Sequence, residues 1–259
     1  MKKTAAGARP TALERARDRL IFPLDVPSTA EAEELIEALS GEVGMFKVGK
    51  QLFLHAGPGI VRHLREKGEE VFLDLKFHDI PRTVARASLE ATRLGVKMFD
   101  LHASGSFEMM RLTAQQVRQV CRREDLRRPK ILAVTVLTSL SGEDLKLVGV
   151  RSGVMPQVTR LAKLSSDAGM DGVVASPLEV DEIRRACGKR LTIVTPGIRP
   201  ASADTEDQKR VTTPGDAIRA GSNYLVVGSP IRNAPDPVRA ARDIVDEIAD
   251  AMRRRKTTR

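Results

Sequence analysis

The sequence predicts an α/β fold, specifically a (β/α)8 TIM barrel, from two observations. Short apolar runs alternate with longer amphipathic helical segments from Leu20 to the end of the 259-residue chain, and this alternation indicates a parallel sheet. Eight such units are present, and about 250 residues is typical of an eight-unit barrel. A doubly wound sheet is the alternative, but it more often shows a G-x-G-x-x-G turn after an early strand, and the sequence has none.

The elements follow one another in a regular order. The predicted strands are Leu20–Val26, Met45–Gly49, Val71–Lys76, Met98–His102, Ile131–Val136, Gly172–Ala175, Leu191–Thr195 and Tyr224–Val227. The predicted helices are Thr29–Leu39, Gly59–Lys67, Thr83–Leu94, Phe107–Arg122, Pro156–Ala168, Leu178–Ala186, Pro214–Ala220 and Pro237–Met252. Ser28 or Thr29 suits the cap of the first helix, and Pro81 suits the first turn of the helix after the third strand. Two long connections, Leu137–Met155 and Pro196–Thr213, have the length of functional lids or disordered segments.

Charge is concentrated at the two ends of the chain. Residues 1–19 carry a net charge of +4 and residues 252–259 carry +5, so the remainder is neutral although the whole chain has +9. We therefore predict one catalytic domain over residues 20–252, a basic N-terminal extension over residues 1–19 and a basic tail over residues 253–259. Residues 1–10 are predicted to be disordered, and residues 11–19 to form a short outer helix.

Composition argues against several classes of protein. Aromatic residues are only 3% of the chain and Trp is absent, whereas a specific nucleic-acid surface often uses aromatic side chains for stacking. No run approaches the ~20 apolar residues of a membrane span, and the N-terminus has no apolar segment of a secretory signal. Cys121 and Cys187 lie far apart, outside metal-type spacing, which predicts reduced thiols in a cytoplasmic protein.

The run Asp74-Leu75-Lys76-Phe77-His78-Asp79-Ile80 is the most informative part of the sequence. Strand alternation puts Asp74 and Lys76 on one face. A lysine between carboxylates at the end of a strand indicates either a preorganised charged site or a structural salt bridge. His78 is expected to be structural or exposed.

Other charged and polar residues fall at the carboxyl ends of the predicted strands, where the active sites of such barrels lie. They are Asp25, Lys47, Lys50, Asp74, Lys76, Asp79, His102, Thr138, Ser139, Arg199 and Ser229. Each also has a purely structural interpretation. Asp25 can cap a helix, Lys47 can be a surface lysine, and His102 can be a core histidine, which is the interpretation we favour for that residue. It is less probable that four charged residues meet at one barrel mouth by chance than that any one of them has a purely structural role. These four are Asp25, Lys47, Asp74 and Lys76.

The ends of strands seven and eight are the usual phosphate site of this barrel class. Gly197 and Gly228 permit close backbone approach to an anion, and Arg199 can add a bidentate contact to phosphate oxygens. Gln208, further along the same loop, can close over the ligand. The pattern therefore predicts a phosphorylated small molecule as the substrate.

At these positions the sequence resembles the orotidine 5'-monophosphate decarboxylase family, in its bacterial form, over about residues 20–245. The resemblance is carried by Leu24-Asp25-Val26, Phe46-Lys47-Val48-Gly49, Asp74-Leu75-Lys76-Phe77-His78-Asp79-Ile80-Pro81-x-Thr83, Leu137-Thr138-Ser139, Pro196-Gly197-Ile198-Arg199 and Val227-Gly228. It implies decarboxylation of orotidine 5'-monophosphate to UMP in pyrimidine biosynthesis, with no metal or organic cofactor.

The resemblance also implies a role for each matching residue. Lys76 would protonate C6 of the pyrimidine, within a charge network of Lys47, Asp74, Lys76 and Asp79. Asp79 and Thr83 would come from the other subunit of a homodimer. The substrate-binding residues it implies are Asp25, Lys47, Thr83, Thr138, Ser139, Pro196, Arg199, Gln208, Gly228 and Ser229. Within this set, Asp25 and Lys47 would hold the ribose, and Arg199, Gln208 and the Gly228 amide the phosphate.

One position departs from the family pattern. The family usually has Gly-Arg-Pro after strand eight, with the arginine on the phosphate, whereas this chain has Gly228-Ser229-Pro230. Arg232, three residues further on, is a candidate to replace the charge of the missing arginine.

The sequence leaves two other functions open. One is a Mg²⁺-dependent enzyme of the same superfamily, such as a hexulose-phosphate synthase or a ketogulonate-phosphate decarboxylase. The other is a non-catalytic basic protein that binds nucleic acid through its tails. Sensitivity to chelation tests the first, and turnover after deletion of the tails tests the second.

Overall fold

Eight parallel strands close into a barrel in sequence order in the computed structural model, which describes residues 10–200 and 212–257. The strands are β1 (Leu20–Pro23), β2 (Met45–Gly49), β3 (Val71–Phe77), β4 (Met98–His102), β5 (Lys130–Val134), β6 (Gly172–Val174), β7 (Thr192–Thr195) and β8 (Tyr224–Val226). Each strand pairs with its neighbours in the chain, and β1 pairs with β8 to close the ring. The prediction of a (β/α)8 barrel is confirmed.

Helices follow the strands around the outside of the barrel. They are α1 (Ala12–Arg17), α2 (Thr29–Leu39), α3 (Lys50–Ala56), α4 (Gly59–Glu66), α5 (Pro81–Arg93), α6 (Phe107–Arg123), α7 (Gly142–Leu147), α8 (Val154–Asp167), α9 (Val180–Cys187), α10 (Pro214–Ala220), α11 (Ser229–Arg232) and α12 (Pro237–Thr257). None of the helices in the described part of the chain is long and apolar enough to cross a membrane.

Local signals in the sequence set several of these boundaries. The Ser28 hydroxyl accepts a hydrogen bond from the Glu31 backbone N–H at 3.2 Å and so caps α2. Pro81 occupies the first turn of α5, where its missing N–H has no helical partner to lose.

Other boundaries differ from the prediction. Strand β1 ends at Pro23 rather than Val26, and beyond it the Asp25 carbonyl accepts a hydrogen bond from the Arg232 side chain at 2.7 Å. Helices α3, α7 and α11 were not predicted. Helix α7 lies inside the long connection after β5, where Ser141 and Asp144 form a reciprocal cap at its start.

The interior of the barrel is filled by apolar side chains from alternate strand positions. This interior cluster contains Ile21, Met45, Phe72, Met98, Leu132, Val194 and Val226. The strand residues between these positions point outward into a larger core shared with the helices. The interior cluster therefore forms a closed apolar floor beneath the carboxyl ends of the strands.

Candidate active site

A cavity of about 440 Å³ opens at the carboxyl ends of the strands, above this apolar floor. Its polar lining residues are Asp25, Lys47, Asp74, Lys76, Asp100, Thr138, Arg199 and Ser229, and its backbone lining includes Pro196 and Gly228. The volume is in the range of pockets that bind small molecules.

Four side chains of alternating charge form a row on the wall of this cavity. The Lys47 ammonium lies between two carboxylates, 3.0 Å from Asp25 Oδ1 and 3.0 Å from Asp74 Oδ2. The other oxygen of Asp74 contacts the Lys76 ammonium. Lys47 and Asp74 each expose only 8% of their surface, so the centre of the row is shielded from water. Hereafter Asp25, Lys47, Asp74 and Lys76 are called the charge row.

The partners in the charge row keep each other ionised despite burial. Burial works against the charge of Lys47, but Asp74 and Asp25 outweigh it and hold the Lys47 pKa above its ordinary value. Burial likewise opposes the Asp74 carboxylate, yet Lys47, a hydrogen bond from Asp100 and Lys76 hold the Asp74 pKa well below its usual range. Lys47 and Asp74, at the centre of the row, are therefore both charged at neutral pH.

A distortion of β3 brings Lys76 into the row. The register between β3 and β4 shifts, since Leu73 pairs with Phe99 and Phe77 pairs with Leu101, so β3 holds two extra residues. Lys76 itself has φ +51°, a left-handed conformation that costs a residue other than glycine about 1 kcal/mol or more. Backbone strain of this kind, in a residue that lines a cavity, is typical of functional sites.

Asp100 is the site residue that the sequence analysis missed. It lies on the interior face of β4, and its Oδ1 accepts a hydrogen bond from the Lys76 backbone N–H at 2.8 Å. The signal was present: Met98 faces the interior, so strand alternation places a carboxyl there two residues later.

The opposite end of the cavity has the features of an anion site. Gly197 has φ +74°, which favours glycine, and a Cβ on Gly228 would lie 2.8 Å from Pro23 Cγ. Arg199 lines the cavity and forms no ion pair within residues 10–200 and 212–257. Arg232 is not among the lining residues, since its guanidinium is bound to the Asp25 carbonyl.

Several predicted site residues lie outside the cavity. Asp79 is exposed on the connection into α5, Thr83 is exposed in the first turn of that helix, and the Asp79 carboxylate accepts a hydrogen bond from the Ile80 N–H at 2.6 Å. Ser139 is exposed next to Thr138, which does line the cavity. Gln208 falls outside the described residues.

The two histidines near the site face each other beside the cavity, with ring centroids 5.3 Å apart. His78 is exposed. Burial, followed by the charges of His78, Lys50 and Lys76, lowers the pKa of His102 to about 4, so this ring is neutral at pH 7.

A protein-family model described as the orotidine 5'-phosphate decarboxylase / HUMPS family matches residues 18–244. The chain belongs to the orotidine 5'-phosphate decarboxylase family. It is 57% identical over 240 residues to the orotidine 5'-phosphate decarboxylase of Syntrophotalea carbinolica, covering 93% of this chain and 98% of that protein. It is 56% identical over 235 residues to the enzyme of the same name from Geobacter sulfurreducens, covering 91% and 98%.

Solved structures agree with this assignment. The crystal structure of orotidine 5'-phosphate decarboxylase from Lactobacillus acidophilus superposes with a TM-score of 0.79 at 35% identity, covering 88% of this chain and 98% of that chain. As an orotidine 5'-phosphate decarboxylase family member, the chain is a carboxy-lyase, and its membership supports conversion of orotidine 5'-monophosphate to UMP in pyrimidine biosynthesis.

Proposed function

We propose that this enzyme decarboxylates orotidine 5'-monophosphate to UMP without a cofactor, with Lys76 as the proton donor to C6. The observation that carries the proposal is the charge row, in which the buried Asp74, itself paired with Lys47, contacts Lys76 on the wall of the cavity. The row positions an ammonium group before substrate binds, so little reorganisation is needed during reaction.

The chemistry requires such a group. When the bond from C6 to the carboxylate breaks, CO2 leaves and the electron pair stays on C6. A fixed ammonium stabilises this developing negative charge and then donates its proton to C6, which leaves Lys76 as a neutral amine. The lysine regains a proton from water after product release. The electron pair of the broken bond forms the new bond from C6 to hydrogen, so the step needs neither a metal nor an organic cofactor.

The remaining predicted residues take binding roles in this proposal. Asp25 and Lys47 hold the ribose hydroxyls, and Thr138 and Ser139 lie near the base. Arg199, Gln208 and the Gly228 amide hold the phosphate, and Pro196 and Ser229 also bind the substrate. Phosphate contacts far from C6 supply binding energy that drives the chemical step.

A homodimer is part of the same proposal, with Asp79 and Thr83 completing the site of the neighbouring subunit. Both are exposed, and neither lines the cavity of its own subunit. Ile80, between them in the sequence, exposes 67% of its surface, and Phe107, at the start of the neighbouring helix α6, exposes 40%. Exposed apolar side chains of this size mark contact surfaces. A twofold interface here would place Asp79 of each subunit at the mouth of its partner.

The Mg²⁺-dependent alternative is less well supported. A divalent cation would need the space between the two carboxylates Asp25 and Asp74, and the Lys47 ammonium occupies it at 3.0 Å from each. Lysine supplies the positive charge that a metal would otherwise bring.

The domain limits and the location of the enzyme remain proposals. We place one catalytic domain at residues 20–252 between basic ends at 1–19 and 253–259. A cytoplasmic location is supported by Cys121 and Cys187, which are both free thiols.

The direct test is loss of orotidine 5'-monophosphate absorbance with purified enzyme, with and without EDTA. We expect turnover that EDTA does not change, that Lys76→Ala abolishes, and that Lys67→Ala, a change in an exposed lysine, leaves intact. Turnover by Lys76→Ala would refute the assignment of the proton donor, and loss with EDTA would favour the metal-dependent alternative.

The shared site is tested by mixing two inactive variants, Lys76→Ala and Asp79→Ala. In a mixed dimer one of the two sites is fully intact, so random exchange of subunits restores about a quarter of the wild-type activity. If the mixture stays inactive although exchange is demonstrated by mass labelling, Asp79 does not act across an interface.

A further inference from the structure

Asp100 is a carboxyl group buried inside the barrel. It exposes 1% of its surface and lies on β4 among buried apolar residues, including Met98, Phe99 and Leu101. No ion pair involves Asp100 in the described part of the chain. An isolated buried carboxylate is very unfavourable, so a neutral form or a specific role is required.

The two oxygens of Asp100 have different environments. Oδ1 accepts the Lys76 backbone N–H at 2.8 Å, at the residue whose φ is +51°. Oδ2 is buried, and no N–H or O–H group of the described residues donates to it. Asp100 and Asp74 line the same cavity, and each influences the pKa of the other. Two neighbouring carboxyl groups can be joined by a hydrogen bond only when one of them carries a proton.

The charges of the site decide which of the two is protonated. The charge row already balances two carboxylates with two ammonium groups, and an ionised Asp100 would add an unmatched negative charge against Asp74. Burial and the Asp74 charge raise the Asp100 pKa well above its ordinary value, while Lys47 and Lys76 lower that of Asp74. The proton therefore belongs to Asp100, as expected when two adjacent carboxyls have different surroundings.

We propose that Asp100 is a positioning residue that works as a neutral carboxylic acid, accepting from the Lys76 backbone and donating to Asp74. The first bond fixes the distorted segment of β3, and the second fixes the Asp74 carboxylate that contacts the Lys76 ammonium. Asp100 thus holds both ends of the proton donor, its backbone and its charged partner. This inference rests on the proposed role of Lys76.

The test compares two variants whose side chains have the same number of heavy atoms and the same branching at Cγ as aspartate. Asp100→Asn keeps an acceptor for Lys76 and a donor for Asp74, which is the hydrogen-bond pattern of the protonated acid, whereas Asp100→Leu keeps neither. We expect Asp100→Asn to retain kcat within about threefold. We expect Asp100→Leu to lose up to about 100-fold in kcat with little change in KM, because Lys76 is misplaced while the phosphate and ribose contacts remain.

Two results would overturn the inference. If Asp100→Asn loses as much kcat as Asp100→Leu, the residue acts as an anion, and if Asp100→Leu retains wild-type kcat, it positions nothing. Lys76→Ala in the same assay separates these failures from failure of the proposed mechanism, since that variant has Asp100 intact.

Infrared spectroscopy gives a readout that does not depend on activity. The wild-type enzyme at pH 7 is expected to show the carbonyl band of a protonated carboxylic acid that is missing in Asp100→Asn. Identical spectra would refute a neutral Asp100, even if Asp100→Leu proves too unstable to assay.

Discussion

Replacement of Lys47 by methionine is expected to destabilise the fold strongly. At 3.0 Å, and with an effective dielectric constant near 20, the contact of Lys47 with the buried Asp74 is worth about 5.5 kcal/mol before the cost of desolvation. The contact with Asp25 is weaker, because water screens that half-exposed carboxylate. Removal of one member of a buried ion pair costs about 3–5 kcal/mol, because the other member is left as an uncompensated charge. We expect Lys47→Met to lower the free energy of unfolding by an amount in that range.

Urea unfolding at pH 7 measures this loss, with Lys67→Met as the matched control. Lys67 also contacts a carboxylate, Glu33, but both side chains are one-third exposed, and such pairs contribute about 0–1 kcal/mol. A loss in Lys47→Met no larger than that in Lys67→Met would refute the reasoning.

The loss is also expected to depend on pH. In the wild type, the lowered Asp74 pKa contributes stability above the ordinary value of 3.8 that disappears only as the pH falls below it. In Lys47→Met the burial of Asp74 is no longer offset by Lys47, so its pKa rises, and protonation at low pH removes the buried charge. The gap between variant and wild type should therefore narrow between pH 7 and pH 5, and a constant gap would contradict this explanation.

Two other changes have defined outcomes. Ser229→Arg should lower KM about tenfold or more with a smaller change in kcat, because a hydrogen bond to a charged phosphate contributes about 1.5–3 kcal/mol. Ser229→Gln, which adds length without charge, is its control, and an unchanged KM in the arginine variant would contradict the prediction. Burial raises the pKa of Glu179 to about 7, so the folded protein retains a proton that the unfolded chain releases near 4.5. The wild type should therefore unfold at a lower temperature at pH 8 than at pH 5, and Glu179→Gln should lack this difference. The same pH dependence in both proteins would show that Glu179 does not destabilise the fold as pH rises.

The fold was predictable because the alternation of strands and helices is regular. The strands β2 and β4 begin and end where the sequence predicted, since both are short, mostly apolar runs that directly follow a turn. Helix α7 was missed because six residues inside a polar connection give no helical periodicity, and its cap became evident only in the structure.

The candidate site was predictable as a set of residues, but not as a geometry. Asp25, Lys47, Asp74 and Lys76 were selected from their places at strand ends, and all four line one cavity. The left-handed backbone of Lys76 and its bond to Asp100 depend on a register shift between two strands, which strand periodicity alone does not reveal. The sequence alone also could not show whether Arg232 compensates for Ser229, because the answer depends on a long-range contact, the hydrogen bond from Arg232 to the Asp25 carbonyl.

The apolar floor of the barrel determines the side from which the cavity can be reached. Phe72, Met98 and Leu132 close the interior below the charge row, so the cavity has no exit on that side. In the proposed reaction, CO2 and UMP would therefore leave on the side of the cavity away from this floor, at the carboxyl ends of the strands. The packed interior would also keep water on the opposite side of the barrel away from C6.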